Sequence, residues 1–331
     1  FRSSYLKLHV KKWFPGIQVC AFTATATKLV TNDIISNLAL TNPYISRTSF
    51  IKENIQCCIK RKEKHSWVYI GNTLVQTIQK LGYTNNTGIV YCLSRKECEY
   101  MAKLLKSKGL IAAYYHAKIL PEEKDRVQSA WLKGEINVIV ATIAFALGIN
   151  KANVRYVIHT SMPKSIEGYY QQIGRAGRDG LPSHCVLYYS EKDMNILLKM
   201  TTNISMGEDL VPPVRNTDRI KDMYHMCQNI HECLKLQMCN YLGEYLVRSN
   251  CKSTEIKCGN CMTSHQHIKD QTETSNYLLN SIDGHDLSEI KRKCSFLERR
   301  ILLHLLNNGN IIAETEGTLE RIYKVMDVKE L

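Results

Sequence analysis

Asn137-Val138-Ile139-Val140-Ala141-Thr142 and Val154-Arg155-Tyr156-Val157-Ile158-His159 decide the fold, with Ala144-Phe145-Ala146-Leu147-Gly148-Ile149-Asn150 between them. Both runs are short, apolar and rich in β-branched residues, which reads as strand. Working outward, Gly88-Ile89-Val90-Tyr91-Cys92 is another buried strand, and Ser94 caps a helix from Lys96 to Lys108. Ala112 to His116 is the next strand end, and Glu122 to Lys133 is helical. Cys185 to Tyr189 closes the series. Strands that alternate with helices predict an α/β fold, a doubly wound parallel sheet.

At 331 residues the chain is long enough for two or three domains. No run of about 18 apolar residues is present, which excludes an apolar membrane helix. The net charge of +13 favours a polyanionic partner. The excess is uneven, because residues 1–70 carry +8 of it. Thirteen cysteines are many for this length. Cys20, Cys92 and Cys185 read as small buried hydrophobes, and the overall usage as a reducing compartment with one metal cluster. Phe1-Arg2-Ser3-Ser4 has neither an initiator methionine nor an apolar signal core, so the chain is expected to be a piece of something longer.

The first 55 residues read as part of a further α/β unit. A basic helix from Tyr5 to Trp13 and a turn at Pro15-Gly16 precede an apolar strand from Ile17 to Phe22. Thr23-Ala24-Thr25-Ala26-Thr27 then leads into a helix from Lys28 to Leu38. Such hydroxyls can sit at the carboxyl edge of a sheet, where ligands bind, or simply supply an N-cap threonine.

The segment Tyr169-Tyr170-Gln171-Gln172-Ile173-Gly174-Arg175-Ala176-Gly177-Arg178-Asp179-Gly180 carries the chemistry. Its two arginines are three apart, a spacing that shares one face of a helix. Their planar forks suit phosphate oxygens, and the neighbouring glycines permit close approach. A bare Arg-Gly-rich surface loop is the bland alternative.

The succession TATAT, VYCLSR, YYHA, VATIAFALGINKANVRYVIH and PKSIEGYYQQIGRAGRDG resembles the RecQ family of superfamily 2 DNA helicases, over nearly the whole chain up to Cys261. In that family two RecA-like lobes sandwich ATP and DNA runs across both. The resemblance implies that Thr23, Thr25 and Thr27 couple hydrolysis to DNA movement. It implies that Thr142, Gly148 and Asn150 touch nucleotide and DNA backbone. Gln171, Arg175 and Arg178 would be the catalytic set, the arginines reaching phosphates across the cleft. Ser94, Arg95, His116 and Lys151 would contact DNA. The expected cofactors are ATP with Mg²⁺, and the expected localisation is nuclear in a eukaryote and cytoplasmic otherwise.

Two positions depart from the family, which usually has Gly-Met-Gly-Ile-Asp where this chain has Ala146-Leu147-Gly148-Ile149-Asn150. Ala146 adds a methyl, and Asn150 replaces a carboxylate, weakening a charge-assisted hydrogen bond. The sequence also contains no G-x-x-x-x-G-K-[ST] and no DEAH. The arginine side of an ATP site is thus expected without its phosphate cradle, and these residues alone are expected to be inactive.

Asp218 to Glu244 reads as mostly helix, with Cys233 near its middle and Gly243 at its end. Cys233, Cys251, Cys258 and Cys261 follow a Cys-x17-Cys-x6-Cys-x2-Cys spacing. Four thiolates fill a tetrahedral Zn²⁺ site completely, so the predicted role is structural. RecQ proteins resemble this stretch in placing their zinc module here. Cys227 and Cys239 read as core, and His265 and His267 as possible further ligands. Beyond Cys261, a helix from Glu298 to Leu306 and a hairpin around Glu316-Gly317 resemble part of a winged helix.

The predicted division is residues 1–52 (end of a first RecA-like lobe), 53–205 (second lobe), 206–264 (zinc module) and 265–331 (partial winged helix). The expected function is ATP-dependent 3′-to-5′ DNA unwinding in recombination, repair and replication, with single-stranded and junction DNA as partners. The rivals are a non-catalytic zinc-stabilised DNA-binding module and an RNA helicase. The zinc cluster and Phe145-Ala146-Leu147-Gly148-Ile149-Asn150-Lys151 argue against the latter.

Overall fold

The computed structural model describes residues 13–14, 16–146, 150–203, 213–230, 232–245, 251, 256–262, 285–286, 311–316 and 319–324. They fall into two compact units, 1–264 and 265–331.

The first unit is built on six parallel strands: β1 (Ile55–Arg61), β2 (Gly88–Tyr91), β3 (Ala112–Tyr115), β4 (Val138–Ala141), β5 (Tyr156–His159) and β6 (Ser183–Tyr189). Their order across the sheet is β1-β6-β5-β2-β4-β3. Side chains alternate strictly between its faces. Ile89, Tyr91, Ile139, Ala141, Val157, Cys185 and Leu187 enter one core, and Val90, Val138, Val140, Ile158 and Val186 enter the other. Burial on both faces is why these strands read as continuous apolar runs.

Helices α2 (Trp67–Lys80) and α3 (Arg95–Ser107) cover the second core. The first is covered by α4 (Pro121–Lys133), α5 (Ile166–Ile173), α6 (Glu191–Asn203) and α7 (Pro213–Gln228). This is the doubly wound, RecA-like arrangement that the sequence predicts. The helix starts are chemically marked. Ser94 Oγ accepts from Glu97 N at 3.2 Å, and Ser66 and Ser165 cap α2 and α5 in the same way. Helix α1 (Lys28–Asn37) begins at Thr27, whose Oγ1 accepts from Val30 N.

The structure corrects several expectations. Ile17 to Phe22 forms no strand. It finds no partner strand among the described residues, a lone strand is marginal in water, and Phe22 is 94% exposed. Cys20, in that segment, is exposed rather than buried. Strand β1, at the sheet edge, is a sixth strand of this sheet that the sequence did not predict. The long helix over Asp218–Glu244 is two helices, α7 and α8 (Leu234–Tyr241), broken at 229–233. Gln237 Nε2 and Asn260 Nδ2 both donate to Asn229 O and Glu232 O there, satisfying carbonyls that a continuous helix would have used. Cys233 is therefore the residue before α8 and not a mid-helix position.

In the second unit, β7 (His285–Asp286), β8 (Ile311–Glu316) and β9 (Leu319–Lys324) form an antiparallel sheet in the order β7-β9-β8. The β8–β9 register pairs Glu316 with Leu319 and Ile311 with Lys324. The helices expected at Tyr5–Trp13 and Glu298–Leu306, and residues His265 and His267, lie outside the described residues or nearly so.

Candidate nucleotide cleft and metal centre

The arginine segment starts on α5 but leaves the helix before either arginine. The helix ends at Ile173, and residues 174–179 form successive turns. Gly177 has φ +58, a left-handed conformation that a helix does not contain. The shared-helix-face expectation for Arg175 and Arg178 is thus wrong in mechanism, although both still face one cleft. That cleft, about 1300 Å³ in volume, is lined by Thr23, Gln171, Gly174, Arg175 and Arg178 among others.

Gln171 Nε2 donates to Thr25 Oγ1 at 2.9 Å, which joins two predicted motifs across 146 residues of chain. Thr23 Oγ1 in turn donates to Thr25 O and accepts from Thr25 N, and Thr25 is buried. Arg178 donates from Nη1 to Asn150 Oδ1 at 3.0 Å. The position where the family usually carries a carboxylate is therefore still within reach of the arginine, through a neutral acceptor. Burial, and then repulsion from Arg175, pull the Arg178 pKa below its ordinary value.

Several residues that sequence reasoning missed hold this loop in place. Asn54 Nδ2 donates to Gly177 O at 2.7 Å and to Leu181 O at 3.1 Å. Arg155 grips Asp179 with two hydrogen bonds from Nη2, and this keeps the Asp179 carboxyl below its usual range. Tyr91 is buried beside both arginines. Burial pushes its hydroxyl up to about 12, against the opposing pull of Arg175. His159 stacks on Tyr91 at 5.1 Å between centroids and meets Gln172 Oε1 at 2.7 Å through Nε2. Tyr91 and His159 sit in strands and Arg155 just ahead of β5, so their apolar neighbours disguised them as core.

The remaining predicted residues are more scattered. Thr142 follows β4 and accepts from Phe145 N, while Gly148 lies outside the described residues. Arg95 is exposed at the first turn of α3. Lys151 donates to Leu132 O at 2.8 Å and lies over the Trp131 ring. His116 is buried, with Nε2 at 2.9 Å from Glu99 Oε1.

The metal centre gathers Cys233, Cys251, Cys258 and Cys261, whose sulfurs all lie within 4.8 Å of one another. A Zn–S bond of about 2.3 Å gives a tetrahedron edge of about 3.8 Å. Cys233 Sγ and Cys258 Sγ stand 3.7 Å apart. The donor set, the spacing and the burial all fit a structural Zn²⁺ with no open position. The hydrogen bond shared with the Cys233 thiol lowers the Cys258 pKa, which favours a thiolate in this pair.

Three elements anchor the site. Helix α8 supplies Cys233 just before its start. The short helix α9 (Gly259–Met262), which packs on β1, carries Cys261 and follows Cys258. Buried Lys235 donates from Nζ to Glu53 O and Ile256 O, tying the cysteine loop to the lead into β1. The module also reaches α5, the helix that precedes the arginines. Glu244 Oε2 accepts from Phe50 N at 2.6 Å, and Tyr170 Oη donates to Phe50 O at 2.9 Å.

A doubly wound lobe with paired arginines on a cleft, fused to a four-thiolate zinc module, is the class of a helicase motor lobe with a structural zinc appendage. Residues 72–180 match the helicase conserved C-terminal domain, and residues 191–262 match the RecQ zinc-binding domain. The chain belongs to the RecQ family of DNA helicases.

Among its relatives is the RecQ-like DNA helicase BLM of Xenopus laevis, 40% identical over 79% of this chain and 19% of that protein. The ATP-dependent helicase SGS1 of Saccharomyces cerevisiae is 34% identical over 83% of this chain and 18% of its own. A putative ATP-dependent DNA helicase Q1 of Caenorhabditis briggsae is 34% identical over 93% of this chain and 48% of its own. The chain thus spans about a fifth of the first two relatives and about half of the third.

Proposed function

We propose that this chain supplies the arginine side of the ATP site in a 3′-to-5′ DNA helicase acting in recombination, repair and replication, in the nucleus. The carrying observation is the cleft where Arg175 and Arg178 face the Thr23–Thr27 segment, with Gln171 bonded to Thr25. In this reading residues 1–52 end a first RecA-like lobe and 53–205 form the second. Residues 206–264 are the zinc module and 265–331 a partial winged helix.

The bound Mg²⁺–ATP would supply the phosphoryl group and the bridging positive charge. Arg175 and Arg178 bind its phosphates from across the cleft, and their charge meets the negative charge that shifts in the transition state. An arginine in this position contributes roughly 10³–10⁵ in rate. The hydrogen bond between Gln171 and Thr25 makes the link between phosphate state and the coupling threonines. Thr142, Asn150, Lys151, Ser94 and Arg95 lie on the DNA-facing edge, with His116 acting from beneath it through Glu99. The DNA is held mainly through phosphates, with little sequence preference and strong salt dependence.

These 331 residues have no phosphate loop and no acidic Mg²⁺ motif. The test is therefore a chimera that joins the phosphate-loop lobe of a RecQ relative to this chain. DNA-stimulated ATP turnover in the chimera, absent when Arg175 and Arg178 are both replaced by alanine, supports the reading. Turnover indifferent to both arginines rejects it.

A further inference from the structure

Of the positive charge concentrated in residues 1–70, Arg47 and Lys52 line the cleft, but not all of it is placed there. Part of it lines a separate groove between α2 and the edge strand β1, about 260 Å³ in volume. Lys60, Arg61, Lys64 and Lys80 border it, and all four are exposed. None of them is in an ion pair among the described residues. Lys62 is different, being buried and held by Asp193 at 2.8 Å. Glu63 is the one carboxylate in the lining, and its Oε2 accepts from Tyr69 Oη at 2.6 Å. The groove therefore keeps a surplus of uncompensated cations, and such a surplus attracts phosphate.

The surroundings select among phosphate ligands. Trp67, the first residue of α2, is 39% exposed and stands 5.5 Å from the Tyr100 ring on α3. That contact sets the start of α2 beside the first turns of α3, where Ser94 and Arg95 are. Lys64 lies over the Tyr69 ring at 5.7 Å. Exposed aromatic faces interleaved with cations hold unpaired bases and their backbone together, whereas a free phosphate ion has no use for the aromatic faces. The carboxyl ends of β1 and β2 lie on the same edge of the parallel sheet, so one strand can cross from Arg95 over Trp67 to Lys64 and Lys60.

We infer that the α2–β1 groove, with Trp67 at its approach, is a second single-stranded nucleic-acid site that extends the path beyond Ser94 and Arg95. The inference rests on the DNA-binding reading above.

The test uses the zinc-loaded chain with oligothymidylates of about 8 and about 24 nucleotides, lengths that fit one site and two. The variants are the charge-reversed pair Lys60→Glu/Lys64→Glu and, separately, Trp67→Phe. The charge-reversed chain is expected to bind the long strand about tenfold more weakly, with the slope of log affinity against log salt reduced by about 1.4, two contacts at about 0.7 each. Its affinity for the short strand is expected to be unchanged. Binding of the long strand should quench tryptophan fluorescence in the unaltered chain, and Trp67→Phe should remove that quenching. Equal loss for both lengths, or no loss for the long strand, overturns the second site while leaving DNA binding intact. An unaltered chain that binds neither length overturns the DNA reading itself, and the inference with it.

Discussion

Gly177→Ala tests how the arginine loop is built. Gly177 has φ +58, and a Cβ there would meet Asn54 Nδ2 at 2.5 Å, Ser183 Oγ at 2.8 Å and Leu181 O at 2.9 Å. An L-residue in the left-handed region costs about 1–2 kcal/mol. Relief of the crowding means moving Asn54, whose two hydrogen bonds to Gly177 O and Leu181 O contribute about 1 kcal/mol each. The expected destabilisation is therefore about 2–4 kcal/mol, a fall in the urea midpoint of about 1–2 M for a slope near 2 kcal/mol/M. Gly180 provides the control. It has φ +81 but nothing within 4 Å of an added Cβ, so Gly180→Ala carries only the backbone cost, about 1–2 kcal/mol. Urea unfolding of both variants, followed by circular dichroism, separates backbone strain from crowding. Equal losses would show that the Asn54 clamp does not hold the loop.

The remaining predictions concern metal, pH and turnover. Purified protein should contain one zinc per chain by elemental analysis, and Cys258→Ser should lose it and loosen the module, because metal binding and folding are coupled there. Burial, opposed by the Gln172 hydrogen bond, lowers the pKa of His159 from 6.5 to about 4. The unfolded chain therefore takes up a proton that the folded one refuses, and stability falls as pH drops from about 6.5 to about 4. The slope approaches about 1.4 kcal/mol per pH unit for this one group. Unfolding free energies across that window should flatten in His159→Gln, and an unchanged slope would show that His159 is not the group. The 331-residue chain alone should show no DNA-stimulated ATP hydrolysis above background in a phosphate-release assay.

The sequence made the central strands legible because they are buried on both faces, so their apolar runs admit no other reading. Helix starts were legible through Thr27 and Ser94, whose hydroxyls have one obvious use. The zinc ligands were legible because spacing alone brings four thiols together. Other features depend on tertiary context. Strand β1 ends in exposed Lys60 and Arg61 and is packed by the zinc module, so its pattern is neither alternating nor uniformly apolar. Ile17–Phe22 has the composition of a strand, but hydrogen-bond pairing, not composition, makes a strand. The break before Cys233 is held by Gln237 and Asn260, one of them 31 residues from the carbonyl at Asn229 that it satisfies. The i, i+3 arginine spacing suggested a helix because Gly177's left-handed turn cannot be distinguished from a tolerated helical glycine by sequence. Tyr91 and His159 looked like core and are core, and they also support the arginines.

The most direct measurement is steady-state ATP turnover and DNA affinity on one variant, Arg178→Ala, in the chimera that supplies a phosphate-loop lobe. Arg178 lines the cleft, whereas DNA affinity is expected to be spread over many phosphate contacts. Its charge matters most as negative charge shifts in the transition state, so the loss should fall on kcat more than on KM. The account predicts that turnover falls by roughly 10³ or more while DNA affinity changes little. Unchanged kcat, or DNA binding lost in proportion to turnover, would contradict it.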